Sequence, residues 1–308
     1  MPLYYTGAVN APEQAEAQFD RAAQDVGNLV LLEHFNVTIA DQRLATLFYV
    51  VGLGGTRDPY LFTGFTNMWV NFGRTQVHLP SRGAQPRAQV LRGSAGFVVP
   101  DLEALKKRLD FAGAEMKRVV PEATTKFSWR EQGGCIEATC PWGNRIRCHA
   151  PGPEFGQTEL GLVYVDFDVP PGTAAGIARF YAEVMRAPAS AEGGRATVRI
   201  GRGQRLLFTE SSEPVAAYDG HHVQVYIADF SSPYAWLKAR GLVTMESDAH
   251  EWRFQSIVDP QSLEPLFEIE HEVRSMTHPL YGRPLVNRNH AVTNVNYRPG
   301  QDAFRGTY

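Results

Sequence analysis

Residues 218–230 read Tyr-Asp-Gly-His-His-Val-Gln-Val-Tyr-Ile-Ala-Asp-Phe. The β-branched and aromatic residues from Val223 to Ile227 predict a strand, and two histidines, His221 and His222, stand at its start. Asp229 precedes a short amphipathic segment, so it predicts the N-terminus of a helix. A strand followed by a helix recurs at three other places in the chain, and this repetition determines the predicted architecture.

The other three strand-and-helix segments begin at residues 29, 96 and 162. Asp41 and Asp101 are predicted caps of the first two helices, and the first helix is expected to end at the glycines that follow Val51. Further short strands follow each helix, and the last unit closes with a strand from Pro265 to Glu270. The chain therefore contains four predicted βαβββ units. The predicted fold class is α+β, with two tandem domains that each consist of paired βαβββ units.

The chain also repeats at the level of halves. The segment at residues 73–76 resembles the segment at residues 201–204, and Asp101-Leu102 resembles Asp229-Phe230. The same number of residues separates both pairs of segments, which indicates an internal duplication. The predicted divisions are an N-terminal helical extension, a first domain, a second domain and a C-terminal arm, over residues 1–28, 29–150, 158–275 and 276–308.

Composition limits the classes of partner. The 308 residues are 44% hydrophobic and carry a formal net charge of −3, which is typical of a globular protein with room for two domains. The sequence has no basic cluster, so neither nucleic acid nor a membrane surface is expected as a partner. No long apolar run or signal-peptide pattern is present, which predicts a cytoplasmic protein. Cys135, Cys140 and Cys148 are expected to be reduced thiols.

Three sequence features together resemble the vicinal oxygen chelate superfamily. They are a strand with a histidine near its start, an Asp-capped helix that contains Phe-Tyr and ends in Gly-Leu-Gly, and a final strand after Asp-Pro or Cys-Pro-Trp-Gly-Asn. The superfamily includes glyoxalase I, extradiol ring-cleaving dioxygenases, fosfomycin-resistance enzymes and methylmalonyl-CoA epimerase. The resemblance covers about residues 29–275. It implies curved sheets of paired βαβββ units around a divalent metal, and it leaves the reaction open because the fold hosts several chemistries.

The resemblance also implies a ligand set, because ligands in this superfamily lie on the first and last strands of a unit. In this chain those positions fall on His34 and His78 in the first unit and on His222 and Glu268 in the fourth. The middle units are not equipped to hold a cation, since their positions carry Ser94, Arg147, Tyr164 or Asp166, and Leu206. One metal site, shared by the first and last quarters of the chain, is therefore implied.

Two reactions and one binding role fit these residues. Two imidazoles and one carboxylate suit Fe²⁺, Mn²⁺, Ni²⁺ or Zn²⁺ and leave coordination positions open. With three ligands, the chain is similar to ring-cleaving dioxygenases that use Fe²⁺ on catechol- or hydroquinone-like substrates. With four ligands, a glyoxalase- or epimerase-type isomerase or lyase is implied, in which Glu268 or Glu270 moves a proton. The arrangement across units one and four favours the dioxygenase.

The third hypothesis is a metal-free binding or resistance protein with an aromatic cleft, for which Trp69, Phe72, Trp129 and Tyr226 are candidates. The segment after Glu270 contains Pro279, Gly282 and Pro284 and is predicted to be an extended arm. The arm either crosses the cavity mouth, where Arg274, Tyr281 or Arg283 would meet an anionic substrate, or packs on its own domain or on a neighbouring subunit. A monomer and a homodimer are both compatible with the sequence.

Overall fold

Sixteen strands form two sheets of eight strands each in the computed structural model, which describes residues 20–59, 66–81, 83–123, 125–283 and 298. Every strand belongs to one of four βαβββ units, as predicted. The α+β class is confirmed.

The first unit contains β1, α1 and β2 to β4. Its elements are β1 (Leu29–Asn36), α1 (Gln42–Ala45) with a π-helical continuation (Thr46–Gly52), β2 (Thr56–Arg57), β3 (Asn67–Phe72) and β4 (Thr75–Pro80). The second unit consists of β5 (Gly93–Val98), α2 (Leu102–Val119), β6 (Ser128–Gln132), β7 (Cys135–Thr139) and β8 (Arg145–His149).

The third and fourth units follow a short 3₁₀ helix at Pro153–Phe155. The third unit consists of β9 (Gly161–Val169), α3 (Ala174–Glu183), β10 (Ala189–Glu192), β11 (Arg195–Ile200) and β12 (Gln204–Glu210). The fourth consists of β13 (His222–Ile227), α4 (Ser231–Lys238), β14 (Val243–Asp248), β15 (Glu251–Val258) and β16 (Pro265–Ser275).

Helix starts follow the predicted caps. The Asp41 carboxylate accepts hydrogen bonds from the backbone N–H groups of Arg43 and Leu44, at 2.7 and 3.2 Å, and Asp101 accepts one from Ala104 at 2.8 Å. These bonds satisfy N–H groups that have no partner inside the helix. The helical segment of the first unit ends at the predicted glycines, where Gly54 has a φ of +81°.

Strand pairing joins units that are distant in sequence. Sheet 1 has the order β14-β15-β16-β13-β1-β4-β3-β2 and combines the fourth unit with the first; sheet 2 has the order β10-β11-β12-β9-β5-β8-β7-β6 and combines the third with the second. Each sheet therefore takes one unit from residues 29–150 and one from residues 158–275. The division of the chain into two domains, at residues 29–150 and 158–275, stays a prediction.

The two sheets meet through a shared apolar core. Phe97 of β5 packs against Phe72 of β3 and Phe35 of β1, with ring centroids 4.8 and 6.3 Å apart. The duplicated glycines make equivalent tight turns, since Gly73 and Gly201 have φ angles of +60° and +53°, a conformation that glycine adopts without steric cost. The core fixes the position of sheet 1, which carries the site.

The two ends of the chain lie partly outside the described residues. Most of the N-terminal helical extension predicted over residues 1–28 is outside them, and the described portion contains a 3₁₀ helix at Arg21–Gln24. The predicted arm is described as far as Arg283, apart from residue 298. The three cysteines are free thiols. Among the helices in the described ranges, none combines the length and apolarity that crossing a membrane requires.

Candidate metal centre

Four neighbouring strands at the centre of sheet 1 carry the site. In strand order they are β4, β1, β13 and β16. His34 on β1 lies opposite Gln76 on β4 and Gln224 on β13, and Gln224 in turn lies opposite Glu272 on β16. Because alternate residues of a strand face the same side of a sheet, these side chains and those two residues away share one face.

His34 is fully buried, and its two ring nitrogens have different environments. Nδ1 lies 3.2 Å from a carboxylate oxygen of Glu33. A carboxylate only accepts, so Nδ1 carries the proton and donates it. Nε2 is buried and has no hydrogen-bond partner among the described residues. Burial lowers the pKa of His34, and the hydrogen bond to Glu33 offsets this only in part, so the ring is neutral at neutral pH with a free lone pair on Nε2.

His222 has a similar arrangement on β13. Its Nδ1 lies 3.5 Å from a carboxylate oxygen of Glu270, and its Nε2 lies 3.3 Å from Oε2 of Glu272. Nε2 nevertheless makes no hydrogen bond to the described part of the chain. In a metal-binding histidine, the ring nitrogen that does not bind the metal is commonly hydrogen-bonded to a carboxylate.

Glu272 completes a group of three. Donor atoms of His34, His222 and Glu272 lie within 4.8 Å of one another, and all three residues are buried. Burial alone would raise the pKa of Glu272, but Arg274, His222 and nearby cationic groups outweigh it and hold this pKa well below its ordinary value. The group therefore offers two imidazole nitrogens and one carboxylate.

Glu268, the carboxylate predicted from the sequence, lies outside this group. It is exposed, and its carboxylate accepts a hydrogen bond from Gln255. The predicted strand stopped at Glu270, whereas β16 continues to Ser275, which brings Glu272 beside His222. The signal was present in the sequence, because polar residues keep alternating with less polar ones up to Val273.

His78, the fourth predicted ligand, lies beside the group without joining it. Its ring is stacked between His34 and Trp69, with centroid distances of 3.5 and 3.3 Å. Its Nε2 lies 3.4 Å from the side-chain oxygen of Gln76. Burial, with the nearby His34, lowers the pKa of His78 well below its ordinary value, so His78 is a neutral imidazole.

A network of charges surrounds the three residues. Arg253 contacts Glu251, Glu270 and Glu272, at 3.1, 2.8 and 2.6 Å. Arg274 lies 3.1 Å from Glu251, 2.5 Å from Glu272 and 3.6 Å from Glu33. Four carboxylates thus share two guanidinium groups, a formal charge of −2. Glu33, Glu251 and Arg253 belong to this network although the sequence patterns did not predict them as site residues.

The buried side chain of Gln224 also lacks hydrogen-bond partners among the described residues, which is a further sign that a ligand binds here. It is fully buried between the strands that carry His34 and Glu272, and neither its amide oxygen nor its amide nitrogen has a hydrogen-bond partner within the described ranges. Burying an unpaired amide costs on the order of 1–3 kcal/mol. A bound ligand or ordered water would satisfy it.

Two members of the group, His222 and Glu272, line a cavity of about 400 Å³. Its wall is mostly polar, and the residues that line it are Asn36, Thr38, Asn67, Trp69, His78, Pro80, Gln89, Gly220, His222, Arg253, Glu272 and Arg274. Volumes of this order accommodate small ligands. Arg283, one of the three residues that would meet an anionic substrate if the arm crossed the cavity mouth, forms an ion pair with Asp58.

The residues present fit a divalent metal ion. Two unpaired, buried imidazole nitrogens and a carboxylate are the donors that Fe²⁺, Mn²⁺, Ni²⁺ and Zn²⁺ accept in proteins. The formal charge of −2 on the network would balance the charge of +2 on one such ion. Glu33 lies beside Nδ1 of His34 and Glu270 beside Nδ1 of His222, where a carboxylate orients the ring of a metal-binding histidine.

No family model matches the chain, and no curated protein matches its sequence. Solved structures do match its fold. A "putative dioxygenase" from Bacillus subtilis aligns at 13% identity with a TM-score of 0.54, over 86% of this chain and 89% of that chain. Glyoxalase I from Zea mays aligns at 14% identity with a TM-score of 0.54, over 79% of this chain and 92% of that chain. The predicted fold is thereby confirmed, since the chain has the fold that these two solved structures share.

Proposed function

We propose that this chain is a metal-dependent, ring-cleaving dioxygenase that acts on a catechol- or hydroquinone-like small molecule. Fe²⁺ is the proposed metal, and His34, His222 and Glu272 are its proposed ligands. The observation that carries the proposal is the group of three donors within 4.8 Å of one another, with His78 outside it. Three protein ligands leave enough positions for a substrate oxygen and O₂ at the same ion.

The protein side chains have separate roles in this proposal. A divalent ion bound at this group supplies Lewis acidity and a common binding point for the substrate and O₂. Glu33 binds Nδ1 of His34 and so orients the ring with Nε2 pointing away from the Glu33 carboxylate. Glu270 lies beside Nδ1 of His222 and orients that ring in the same way. Arg253 and Arg274 restrain Glu272 from both sides. The ligands are therefore oriented before any ion binds, which lowers the cost of binding.

The cavity wall favours a small, hydroxylated substrate. Asn36 and Thr38 offer hydrogen bonds to ring hydroxyl groups, and Trp69 is the one large aromatic side chain among the residues that line the wall. A substrate with a long apolar tail would meet mostly polar groups. His78 is neutral and lines the same cavity, so it accepts a hydrogen bond from a substrate hydroxyl and orients it.

The second candidate is a glyoxalase-type isomerase. The observation that favours it is the position of the His78 ring, whose centroid is 3.5 Å from that of His34, so a fourth ligand lies near the group. Four ligands leave two positions, which suits a chelated enediolate. Glu270 would then move the proton.

Oxygen uptake by the purified protein tests the proposal. Metal-free protein is loaded with Fe²⁺ without air, mixed with catechols and hydroquinones, and then exposed to O₂. We expect one O₂ consumed per ring and loss of the aromatic absorbance. Absence of uptake with every ring, together with turnover of a thiol adduct of an α-ketoaldehyde, would favour the isomerase; a protein that holds no stoichiometric metal would favour the metal-free binder.

His78→Gln separates the two enzyme candidates. In the dioxygenase the variant keeps one Fe²⁺ per chain, because His78 is not a ligand, and kcat/KM falls roughly tenfold through loss of one hydrogen bond. In the isomerase the variant loses metal affinity. Metal content and kinetics are measured on the same preparation, and Arg43→Gln, at an exposed ion pair with Asp41, serves as the control.

A further inference from the structure

A separate cavity, of about 460 Å³, lies between the β11–β12 hairpin and the two segments that precede β1 and β9. Three arginines of the hairpin, Arg199, Arg202 and Arg205, line it together with Asp25 and Glu154 from the two segments. The arginines are not consecutive in the sequence, and the hairpin brings them together. No described residue lines both this cavity and the cavity of the metal centre. The function proposed above therefore gives this cavity no role.

The two arginines on the strands are direct cross-strand neighbours. Arg199 of β11 pairs with Arg205 of β12 in the antiparallel register, so both side chains lie on the same face of the sheet. Like charges directly opposite one another destabilise a sheet. Arg202 lies in the turn between the two strands and adds a third positive charge. The hairpin thus concentrates positive charge at an energetic cost.

The guanidinium groups are held by main-chain carbonyls rather than by carboxylates. Nη2 of Arg199 donates to the carbonyl oxygen of Asp25 at 3.3 Å, and Nη2 of Arg205 donates to that of Glu154 at 2.7 Å. Neither arginine forms an ion pair with a carboxylate of the described residues, and the Glu154 carboxylate lies over Gly152 instead, where a Cβ would be 2.5 Å from it. A carbonyl oxygen fixes a guanidinium without neutralising its charge. The other N–H donors of the two groups are available to an anion.

The equivalent hairpin of the first unit shows that the fold does not require these charges. The second residue pair from its turn is Asn71 with Gln76, and the second pair from the β11–β12 turn is Arg199 with Arg205. The two amides of the first unit are hydrogen-bonded to each other at 2.5 Å. A neutral pair that satisfies itself therefore serves the same structural position, so the arginine pair needs an explanation other than folding.

The hairpin that carries the arginines is fixed to both sheets. The Gln204 amide donates to the carbonyl oxygens of Leu32 on β1 and Leu162 on β9, at 2.7 and 2.8 Å, and accepts from the N–H of Leu32 at 3.0 Å. The turn also approaches the 3₁₀ helix before β9 so closely that a Cβ on Gly203 would lie 2.5 Å from the carbonyl oxygen of Phe155. Charged groups that are fixed in advance lose little freedom when a ligand binds.

We propose that the cavity lined by Arg199, Arg202 and Arg205 binds the phosphate group of a small phosphorylated molecule. Guanidinium groups bind phosphate oxygens through paired N–H donors, and these charge-assisted bonds are stronger than neutral ones. A bound dianion would also offset the repulsion between the two facing arginines. Asp25 and Glu154 line the same cavity and would repel further phosphates, which favours a single phosphate group over a nucleic-acid backbone.

Calorimetric titration of the full-length chain tests the proposal. Metal-free protein in a chloride buffer is titrated with inorganic phosphate, with ribose 5-phosphate and, as the neutral control, with ribose. We expect one site per chain for both phosphates and no binding of ribose. Arg199→Gln and Arg205→Gln should each weaken phosphate binding roughly tenfold or more, because each removes a charge-assisted donor. Arg205→Lys keeps the charge without the paired donors, so its affinity should lie between those of the wild type and Arg205→Gln.

Arg74→Gln is the matched control. Arg74 is exposed in the turn of the equivalent hairpin, at the position that Arg202 has in the third unit, so this variant removes the same charge and should leave the phosphate Kd unchanged. Thermal unfolding shows that the variants fold. Without phosphate, Arg199→Gln should unfold at no lower temperature than the wild type, because it removes a like-charge pair. Phosphate should raise the unfolding temperature of the wild type and of Arg74→Gln, and much less that of Arg199→Gln.

Three results would overturn the proposal. They are the absence of saturable phosphate binding by the wild type, wild-type phosphate affinity in both Arg199→Gln and Arg205→Gln, and a single-stranded oligonucleotide that binds through these arginines more tightly than ribose 5-phosphate. The last result would identify a nucleic-acid surface instead. None of these measurements involves the metal centre. A failure here therefore leaves the proposed dioxygenase untouched, and a protein that cleaves no ring can still bind phosphate at this hairpin.

Discussion

Sheet 1 and sheet 2 share one topology but differ in how they treat buried polar groups. In each sheet the first strands of two units pair antiparallel at the centre, β1 with β13 and β5 with β9, and the last strand of each unit flanks that pair in parallel. In sheet 1 these four strands carry the candidate metal centre. In sheet 2 the corresponding region is filled by side chains whose polar atoms form hydrogen bonds with one another.

The centre of sheet 2 is closed by Tyr164. Its ring occupies the space over Gly96, where a Cβ would lie 2.2 Å from the ring, and its hydroxyl lies 2.9 Å from Nε2 of His149. Asp166 accepts from Arg195 at 2.6 Å and from Thr209 at 2.8 Å. Within the described residues, the strands of sheet 2 contain no buried side-chain nitrogen or oxygen without a hydrogen bond.

Sheet 1 retains several such atoms. Nε2 of His34, Nε2 of His222 and both amide atoms of Gln224 lack hydrogen bonds in the part of the chain that is described. Natural proteins satisfy most buried polar groups, and exceptions need an explanation. The comparison shows that the same architecture can satisfy its polar groups internally. These four atoms of His34, His222 and Gln224 are therefore best explained by a ligand that binds at the candidate centre.

The largest expected effect comes from the carboxylate of the centre. Glu272→Gln should abolish stoichiometric binding of Fe²⁺, because it replaces the charged donor, whereas Glu268→Gln on the same face of the same strand should bind like the wild type. Metal binding stabilises a folded protein, by about 2.7 kcal/mol at a hundredfold excess over Kd. Thermal unfolding with and without metal should show this gain in the wild type and in Glu268→Gln, and not in Glu272→Gln.

The glutamine variants keep the shape of the side chain, so the metal-free proteins should unfold at similar temperatures apart from the loss of ion pairs at Glu272. Equal metal binding by Glu272→Gln and the wild type would contradict the assignment. Loss of binding in Glu268→Gln would return the ligand to the position that the sequence predicted.

The sequence predicts the four units well because each unit carries its own local signals. Asp41 and Asp101 mark helix starts, and alternating apolar residues mark strands. The same signals cannot choose among Glu268, Glu270 and Glu272, since all three have the same parity along β16 and face the same side. The choice depends on the register between β16 and β13, which pairs His222 with Glu270 and is set by contacts between distant parts of the chain.

The support of His34 is hidden from the sequence for another reason. In a regular strand Glu33 would point to the opposite face from His34. The pairing of β1 with β13 is irregular between Leu32 and His34, and such an irregularity changes the direction of side chains locally. The Glu33 carboxylate reaches Nδ1 of His34 as a result. Strand alternation alone gives no sign of this bulge.

The next effect concerns sheet 2. Tyr164→Ala should empty the space over Gly96 and lower the free energy of unfolding by roughly 3 kcal/mol, as large-to-small changes in a core do. Metal affinity should not change, because the cavity so formed has no free donor set. Urea unfolding of the metal-free protein and a metal titration measure the two quantities.

Tyr164→Phe is the matched control, since it keeps the ring and removes only the hydrogen bond with His149; a loss of about 1 kcal/mol is expected. If Tyr164→Ala lowered the free energy of metal binding by as much as it lowers the free energy of unfolding, metal binding in sheet 1 would depend on sheet 2. That result would contradict the difference in role between the two sheets.

The smallest expected effect concerns His271, a histidine of sheet 1 that is buried but is not a proposed metal ligand. His271 is as fully buried as His34, yet both of its nitrogens are hydrogen-bonded. Burial lowers the pKa of His271 from 6.5 to about 4. Between these values the unfolded chain binds a proton that the folded chain does not, so stability is lost as the pH falls below 6.5. From pH 7 to pH 5, His271 alone should cost about 2 kcal/mol.

Urea unfolding of the metal-free wild type and of His271→Gln at pH 7 and pH 5 measures this contribution. The wild type should lose about 2 kcal/mol more than the variant over that interval, whereas metal binding at pH 7 should be equal in both, because His271 donates to no ion. An equal pH dependence in the two proteins would mean that His271 is protonated in the folded state. A variant that folds but binds no metal would mean that hydrogen-bonded burial and ligation are not separate roles in this sheet, and that the strand carrying Glu272 depends on His271 for its position.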